Sequence, residues 1–322
     1  MAFTDGVFRV SNVNNSTENT EFSTLELLEL SINTVLFLLI SVGNLLTIIA
    51  VYKTPSLQTI PNMFVVSLAV ADFLTGFAIL YYMFNMIPVL EYYFNNMKYL
   101  CIVRYALVYT YIAQSVLSLC LISVDRLLYI KYPLRYLTSV TARNAGIMIA
   151  ISWIFSLIIG TVPLYNYIWV DATGCTNNLT KEFQVYGAFS VFVVCVMCTF
   201  YCYFEITRIA LRQRRTIKAL QVASAYLDGK YCSVDNGYLK SVKLFAVVFF
   251  AFLLFWMPIN ILSLVMQLSN YDVPSWSIYI AITFGYINSG TNFLIYAWGN
   301  NLFRRAFLKI FICCVRSSTV SH

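Results

Sequence analysis

The residue whose chemistry most needs explaining is Asp72, in the apolar run SLAVADFLTG. A carboxylate among apolar neighbours is costly to bury unless it is paired or hydrated, which makes it a functional candidate by default. Polar residues recur at similar depth in other apolar runs: Asn44, Ser115, Asn288, Ser289 and Asn292. Asn288 and Asn292 stand one helical turn apart and share a face. Gathered by a helical bundle, these oxygens could surround a small cation or a water cluster beside Asp72. The plainer alternative is a hydrogen-bonded network that holds helices together. Other chemistry is poorly provided for. The single histidine, His322, is the last residue, so His-based metal sites and general bases are excluded. No nucleophile–base set is visible, and the chain reads as a non-enzyme.

Positioning such groups requires membrane helices. Of the 322 residues 60% are hydrophobic and only 11% charged, against roughly a quarter charged in a soluble domain. Seven stretches are long and apolar enough to span: Leu30–Tyr52, Met63–Leu90, Tyr105–Val124, Asn144–Val170, Phe183–Phe204, Leu244–Leu268 and Ser275–Ala297. Their length calls for helices, not barrel strands, because backbone groups in lipid must be satisfied internally. Asp72 is the one ionisable residue placed deep in any of them. The fold class is therefore all-α, a seven-helix membrane bundle. Residues 1–29 form an outer tail, 30–302 the bundle, and 303–322 an amphipathic helix and cytoplasmic tail. The N-terminal segment has no basic and apolar signal-peptide pattern, so the first span is expected to direct insertion.

Orientation follows from the 21 Lys and Arg residues. Only Arg9, Lys98, Arg104 and Lys181 fall on the side of the N-terminus; the rest lie on the other, which the positive-inside rule makes cytosolic. The net charge of +7 is thus topological and requires no nucleic-acid partner. Sequons at Asn14, Asn15 and Asn178 all fall outside and are candidate glycosylation sites. Cys101 and Cys175 are the only cysteines at or beyond the outer face, where a bridge would pin the second outer loop to the third span. A helix from Cys101 to Arg126 is about 37 Å long, enough to cross a hydrocarbon core of about 30 Å. The third inner loop contains LDGKYCSVDNGY, expected to be mobile. After the seventh span, Leu302, Phe303, Ala306, Phe307, Ile310 and Phe311 form one stripe with Arg304, Arg305 and Lys309 off it, as in a helix lying on the inner leaflet. Cys313 and Cys314 at its end are candidate acylation sites.

Trp256-Met257-Pro258 places a proline halfway along the sixth span, where it should kink the helix just beyond a tryptophan. With Gly43-Asn44, Leu68–Asp72, Cys101, Asp125-Arg126, Trp153, Cys175, Phe255–Pro258 and Asn292–Tyr296, the chain resembles the rhodopsin-like (class A) G-protein-coupled receptors, from about Ser31 to Cys314. Each motif is weak alone; their order, one per appropriate span, is specific.

The resemblance implies roles residue by residue. Asp72, Ser115, Asn288, Ser289 and Asn292 match the family's allosteric sodium pocket, the only cofactor implied. Arg126 matches an arginine held by Asp125 at rest and released toward the G protein on activation. Tyr203 and Tyr296 match tyrosines that meet near that arginine in the active state. Trp256 with Phe252 matches a rotamer switch under the ligand, and Leu134 an apolar inner-loop contact to the G protein. Leu127 replaces the usual tyrosine after Asp-Arg, and Phe293 the usual proline after Asn292. Tyr238 stands where some members have an acidic partner for Arg126, so a weak resting lock and raised basal activity are expected.

For the ligand, Val108 stands where amine receptors carry an anchoring aspartate, and Tyr286 where a photopigment carries its lysine. The stretch from Tyr132 to Tyr165 is similar to adenosine receptors, yet Asn177, Asn260 and Ser263 do not reproduce their ligand contacts. The expected pocket is Tyr82, Val108, Tyr109, Ile112, Asn177, Ile259, Asn260, Ser263, Ile282 and Tyr286, uncharged and largely apolar. It favours a neutral or lipophilic small molecule. The rival is a peptide contacting the acidic outer residues Glu18, Glu21, Glu26, Glu29, Glu91, Asp171, Glu182 and Asp272. The expected protein is a plasma-membrane receptor that activates heterotrimeric G proteins. The alternatives are a transporter or channel using Asp72, disfavoured by an odd span count without internal repeat, and a seven-helix protein that has lost coupling.

Overall fold

The structure, a computed structural model, describes residues 24–87, 90, 93, 96–169, 175, 179–180, 182–228, 237–269 and 273–319. Among them are nine α-helices: α1 (Thr24–Lys53), α2 (Ile60–Asn85), α3 (Lys98–Lys131), α4 (Pro133–Ser139), α5 (Ala142–Asn166), α6 (Phe189–Asp228), α7 (Gly237–Leu268), α8 (Ser275–Gly299) and α9 (Asn301–Thr319). The seven long elements α1, α2, α3, α5, α6, α7 and α8 are the expected spans; α4 lies in the second inner loop. Six helical stretches are apolar and long enough to cross a membrane on those criteria alone. The seventh, α8, has 25 residues, about 37 Å of helix, but its asparagines and serines dilute its hydropathy.

The boundaries follow local chemistry. Pro133 opens α4 at a position where its missing N–H has no helical role. Thr141 caps α5, its hydroxyl accepting from the Asn144 amide at 3.2 Å. Pro258 sits inside α7, which continues through it to Leu268, and the missing N–H deprives the Leu254 carbonyl of its helical donor. The outer end of the fifth span is a π-helix, Glu182–Ala188, running directly into α6. Two expected limits move: α1 begins at Thr24, within the segment assigned to the outer tail, and α6 runs past Phe204 to Asp228. The LDGKYCSVDNGY stretch therefore begins on α6; residues 229–236 lie outside the described residues.

Neighbouring helices pack in the order α1–α2, α2–α3, α3–α5, α3–α6 and α7–α8, with α8 closing onto α1. Close approach of α3 and α5 depends on Gly160, where a Cβ would lie 1.8 Å from Thr110 Oγ1 and 2.6 Å from the Ala106 carbonyl. The main apolar core joins Phe64, Leu68, Leu119, Ile122, Val248, Phe249, Phe252 and Tyr296. Leu157, Ile158, Val194, Met197, Phe250 and Leu254 point outward, the expected face toward lipid.

The stripe of α9 divides. Phe303, Ala306 and Phe307 are buried against the bundle, while Leu302 and Phe311 are exposed with Arg304, Arg305 and Lys309. Cys313 and Cys314 are on this helix, with side chains outside the described residues, as are Asn14, Asn15, Asn177 and Asn178 altogether.

Candidate ligand cavity and signalling core

Functional side chains occupy three levels. At the outer level a cavity of about 250 Å³ opens between α3, α5, α6, α7 and α8. Of the expected lining, Val108, Tyr109, Ile112, Ile259, Asn260, Ser263, Ile282 and Tyr286 are there, and Trp256 joins them. Tyr82 is not. Its hydroxyl donates to Glu29 of α1 and its ring stacks on Tyr279 at 6.3 Å, so it closes the α1–α2–α8 junction instead.

The lining is also not uncharged, as the sequence led us to expect. Arg104 forms part of the wall. It precedes Val108 by four residues and so shares its helix face, a spacing that could have identified it. Its guanidinium lies 4.8 Å from the Tyr81 ring centroid and 5.2 Å from that of Tyr105. Gln184 is a second polar group missed; its carbonyl accepts from Gln267 at 2.9 Å and its amide donates to the Leu179 carbonyl. The disulfide Cys101–Cys175 forms as expected, tying the second outer loop to α3 beside the cavity. Below, Trp256 packs on Phe252 at 6.1 Å and Phe252 on Phe192 at 5.8 Å.

The middle level is centred on Asp72, wholly buried. Its Oδ1 accepts from Ser115 Oγ at 3.0 Å and Ser289 Oγ at 2.8 Å; its Oδ2 accepts from Asn292 Nδ2 at 2.6 Å. Asn288 Oδ1 and Asn292 Oδ1 are buried with no hydrogen-bond partner among the described residues. Asn44 stands apart from the carboxylate and pins α1 to α8, donating to the Ser289 carbonyl at 3.0 Å. An adjacent network passed over in the sequence surrounds the buried Gln114. Its Nε2 reaches Ser67, Ser118 and Ser152 at 3.0–3.2 Å, its Oε1 accepts from Ser156, and Trp153 Nε1 donates to Ser67. The one-turn spacings Gln114–Ser118 and Ser152–Ser156 were its signal. Four thiols, Cys120, Cys195, Cys198 and Cys202, lie nearby on α3 and α6, with Cys195 and Cys198 in a C-x-x-C spacing also passed over. No group of three or more potential metal ligands of the His, Cys, Asp or Glu type occurs among the described residues.

The inner level carries the charge pair. Arg126 Nε donates to Asp125 Oδ2 at 3.0 Å, joined by Nη2, with both residues buried. Tyr136 of α4 donates to the other oxygen, Oδ1, at 2.7 Å. Burial and then the Asp125 carboxylate push the Tyr136 phenol up, so it stays a protonated donor. Tyr203 stacks on Phe249 at 5.7 Å and Tyr296 on Phe303 at 5.5 Å; the buried Tyr296 hydroxyl has no hydrogen-bond partner among the described residues. The two tyrosines thus belong to separate stacks, and Arg126 is held by its neighbour. Leu134 projects from α4 at 82% exposure. The Tyr238 side chain lies outside the described residues.

A disulfide-capped outer cavity, a buried polar layer and an inner arginine clasp on seven helices define a transmembrane signalling receptor. The chain belongs to the 7 transmembrane receptor (rhodopsin family), whose model matches residues 43–296. It is 27% identical to adenosine receptor A3 of Bos taurus over 289 residues, covering 85% of this chain and 86% of the relative. Against 5-hydroxytryptamine receptor 4 of Cavia porcellus it is 29% identical over 299 residues, 84% of this chain and 76% of the relative. Octopamine receptor beta-2R of Drosophila melanogaster shares 28% over 316 residues, 84% of this chain and 58% of that longer protein. The protein is a multi-pass plasma-membrane receptor that signals through G proteins and is not an enzyme.

Proposed function

We propose that a small molecule seated in the outer cavity drives this receptor by acting on Trp256, and that the response leaves through Arg126. The observation that carries this reading is continuity. Trp256 lines the cavity and touches Phe252, which belongs to the same core as Phe249, Tyr203 and Tyr296. A change of Trp256 rotamer must repack Phe252, because close-packed cores respond by switching between arrangements, not by deforming smoothly. Swinging α7 about Pro258 then shifts Phe249 against Tyr203. Arg126, freed from Asp125, becomes available to the G protein beside the exposed Leu134.

A sodium ion fits the middle level. Among the described residues, the buried Asp72 has only neutral hydrogen-bonding neighbours, and two amide oxygens in the same layer have no partner. One monovalent cation would neutralise the carboxylate, and oxygen donors of this kind suit a hard ion. Asp72, Ser115, Asn288, Ser289 and Asn292 would hold it, and the ion would supply charge compensation, favouring the closed bundle.

The peptide alternative has less support. Of the acidic residues behind it, Glu26 and Glu29 lie near the start of α1, where negative charge complements the helix, and Glu29 is engaged by Tyr82. Glycosylation at Asn14, Asn15 and Asn178, acylation at Cys313 and Cys314, and leaflet contact of α9 through Leu302 and Phe311 complete the proposal.

The test is a small-molecule screen of G-protein activation in cells expressing the full chain, with Ile112→Trp alongside to fill the cavity. Responses lost in Ile112→Trp at matched surface expression support the reading. Responses retained there would move the ligand to another surface.

A further inference from the structure

Resting on the reading of the outer cavity as the ligand seat, the geometry points to the chemical class of that ligand: an amphiphilic organic monoanion whose acid group pairs with Arg104. The half-buried guanidinium stands in the cavity wall against the rings of Tyr81 and Tyr105. Ring faces attract a cation but accept few of its hydrogen bonds, so they offset only part of the cost of removing it from water. Among the described residues, none that lines the cavity is an aspartate or glutamate, and no carboxylate lies within ion-pair distance of Arg104. Among the described residues the site thus has a fixed positive charge, few acceptors for its donors and no counter-charge. A ligand carboxylate supplies the counter-charge and the acceptors together, in the bidentate geometry a guanidinium favours.

The remaining wall describes the rest of the molecule. Val108, Ile112, Ile259 and Ile282 are apolar, which suits an aromatic or aliphatic body and not a hydrated inorganic anion. The Asn260 amide, also in the lining, donates to the Trp256 carbonyl at 2.8 Å, and its side-chain oxygen takes no part in that bond. An amine fits worst: it would meet Arg104 with no acidic partner among the described residues, in a receptor whose position 108 is valine. This separates the chain from the 5-hydroxytryptamine and octopamine receptors it is similar to.

The test uses ligands that differ only in charge. Purified full-length receptor is heated with indole-3-acetate, indole-3-acetamide or tryptamine, and with 4-phenylbutanoate, its amide or 4-phenylbutylamine, each titrated into the millimolar range. At least one acid is expected to stabilise the receptor with an apparent affinity about ten- to hundredfold above its amide, the amine being weakest. Arg104→Gln should abolish the acid's advantage while leaving amide binding in place, and Arg104→Lys should keep part of it. The acid–amide comparison on the unmodified receptor stands even if Arg104→Gln fails to fold. Amides or amines binding as well as the acids, or acid binding unchanged in Arg104→Gln, would overturn the proposal and leave the cavity as a small-molecule seat. Stabilisation by none of the six compounds would overturn the proposal, whereas the cavity reading falls only if cellular responses survive Ile112→Trp.

Discussion

The ring of Phe293 lies on Gly43: a Cβ at that glycine would come within 2.1 Å of Phe293 Cδ1 and 2.3 Å of Cε1. Phe293 occupies the position after Asn292 where the family usually has proline, and the missing side chain on α1 gives its ring room beside α8. The departure is therefore compensated in the packing. Gly43→Ala should cost about 1–3 kcal/mol by overpacking, seen as a lower thermal midpoint of the purified receptor. Combining it with Phe293→Leu should recover most of the loss. A midpoint unchanged in Gly43→Ala would mean the ring is not confined there.

Tyr136 gives Asp125 a second donor on the oxygen that Arg126 leaves free. Removing it with Tyr136→Phe should release the carboxylate's orientation, at a cost of about 1 kcal/mol to the clasp. Basal G-protein activation should rise about fivefold at matched surface expression. Because the phenol's pKa is raised, proton loss would weaken this contact only above the ordinary phenol range, and basal activity should not follow Tyr136 through physiological pH. Unaltered basal activity in Tyr136→Phe would show that Arg126 is restrained elsewhere.

The sodium site proposed at Asp72 predicts a linkage. Replacing N-methylglucamine by sodium at constant ionic strength should raise the thermal midpoint of the wild-type receptor, its stability gaining about 1.4 kcal/mol for each tenfold in sodium concentration above the dissociation constant. Asp72→Asn removes the charge while keeping the shape, and should abolish the sodium response. A wild type indifferent to sodium would leave the layer as a hydrogen-bonded network between helices.

Much of this was legible in the sequence because lipid imposes simple rules. Apolar length set the spans, Lys and Arg set the orientation, and the outer placement of Cys101 and Cys175 anticipated the disulfide. The Asp72 layer was legible too, since a carboxylate deep in an apolar run is rare and must find polar partners. The outer cavity was less so. Which face of α2 turns inward depends on helix rotation, and Tyr82 faces Glu29 and Tyr279 instead of the cavity. Arg104 was counted as an outer-loop charge because it stands just before Tyr105, the expected start of the third span. Its depth emerges only when Tyr81 and Tyr105 close around it. The Gln114 network escaped notice because serines in membrane helices are common and only their convergence on one amide is informative.

The central claim, that Arg126 is the output of the bundle, is tested most directly by nucleotide exchange on purified heterotrimeric G proteins reconstituted with the receptor. Wild type should accelerate exchange on at least one G-protein class above the rate of the G protein alone, and Arg126→Ala, at equal receptor density and thermal stability, should return it to that rate. Acceleration equal in both proteins would contradict the account, and so would a wild type inert toward every class with each of the stabilising small molecules bound.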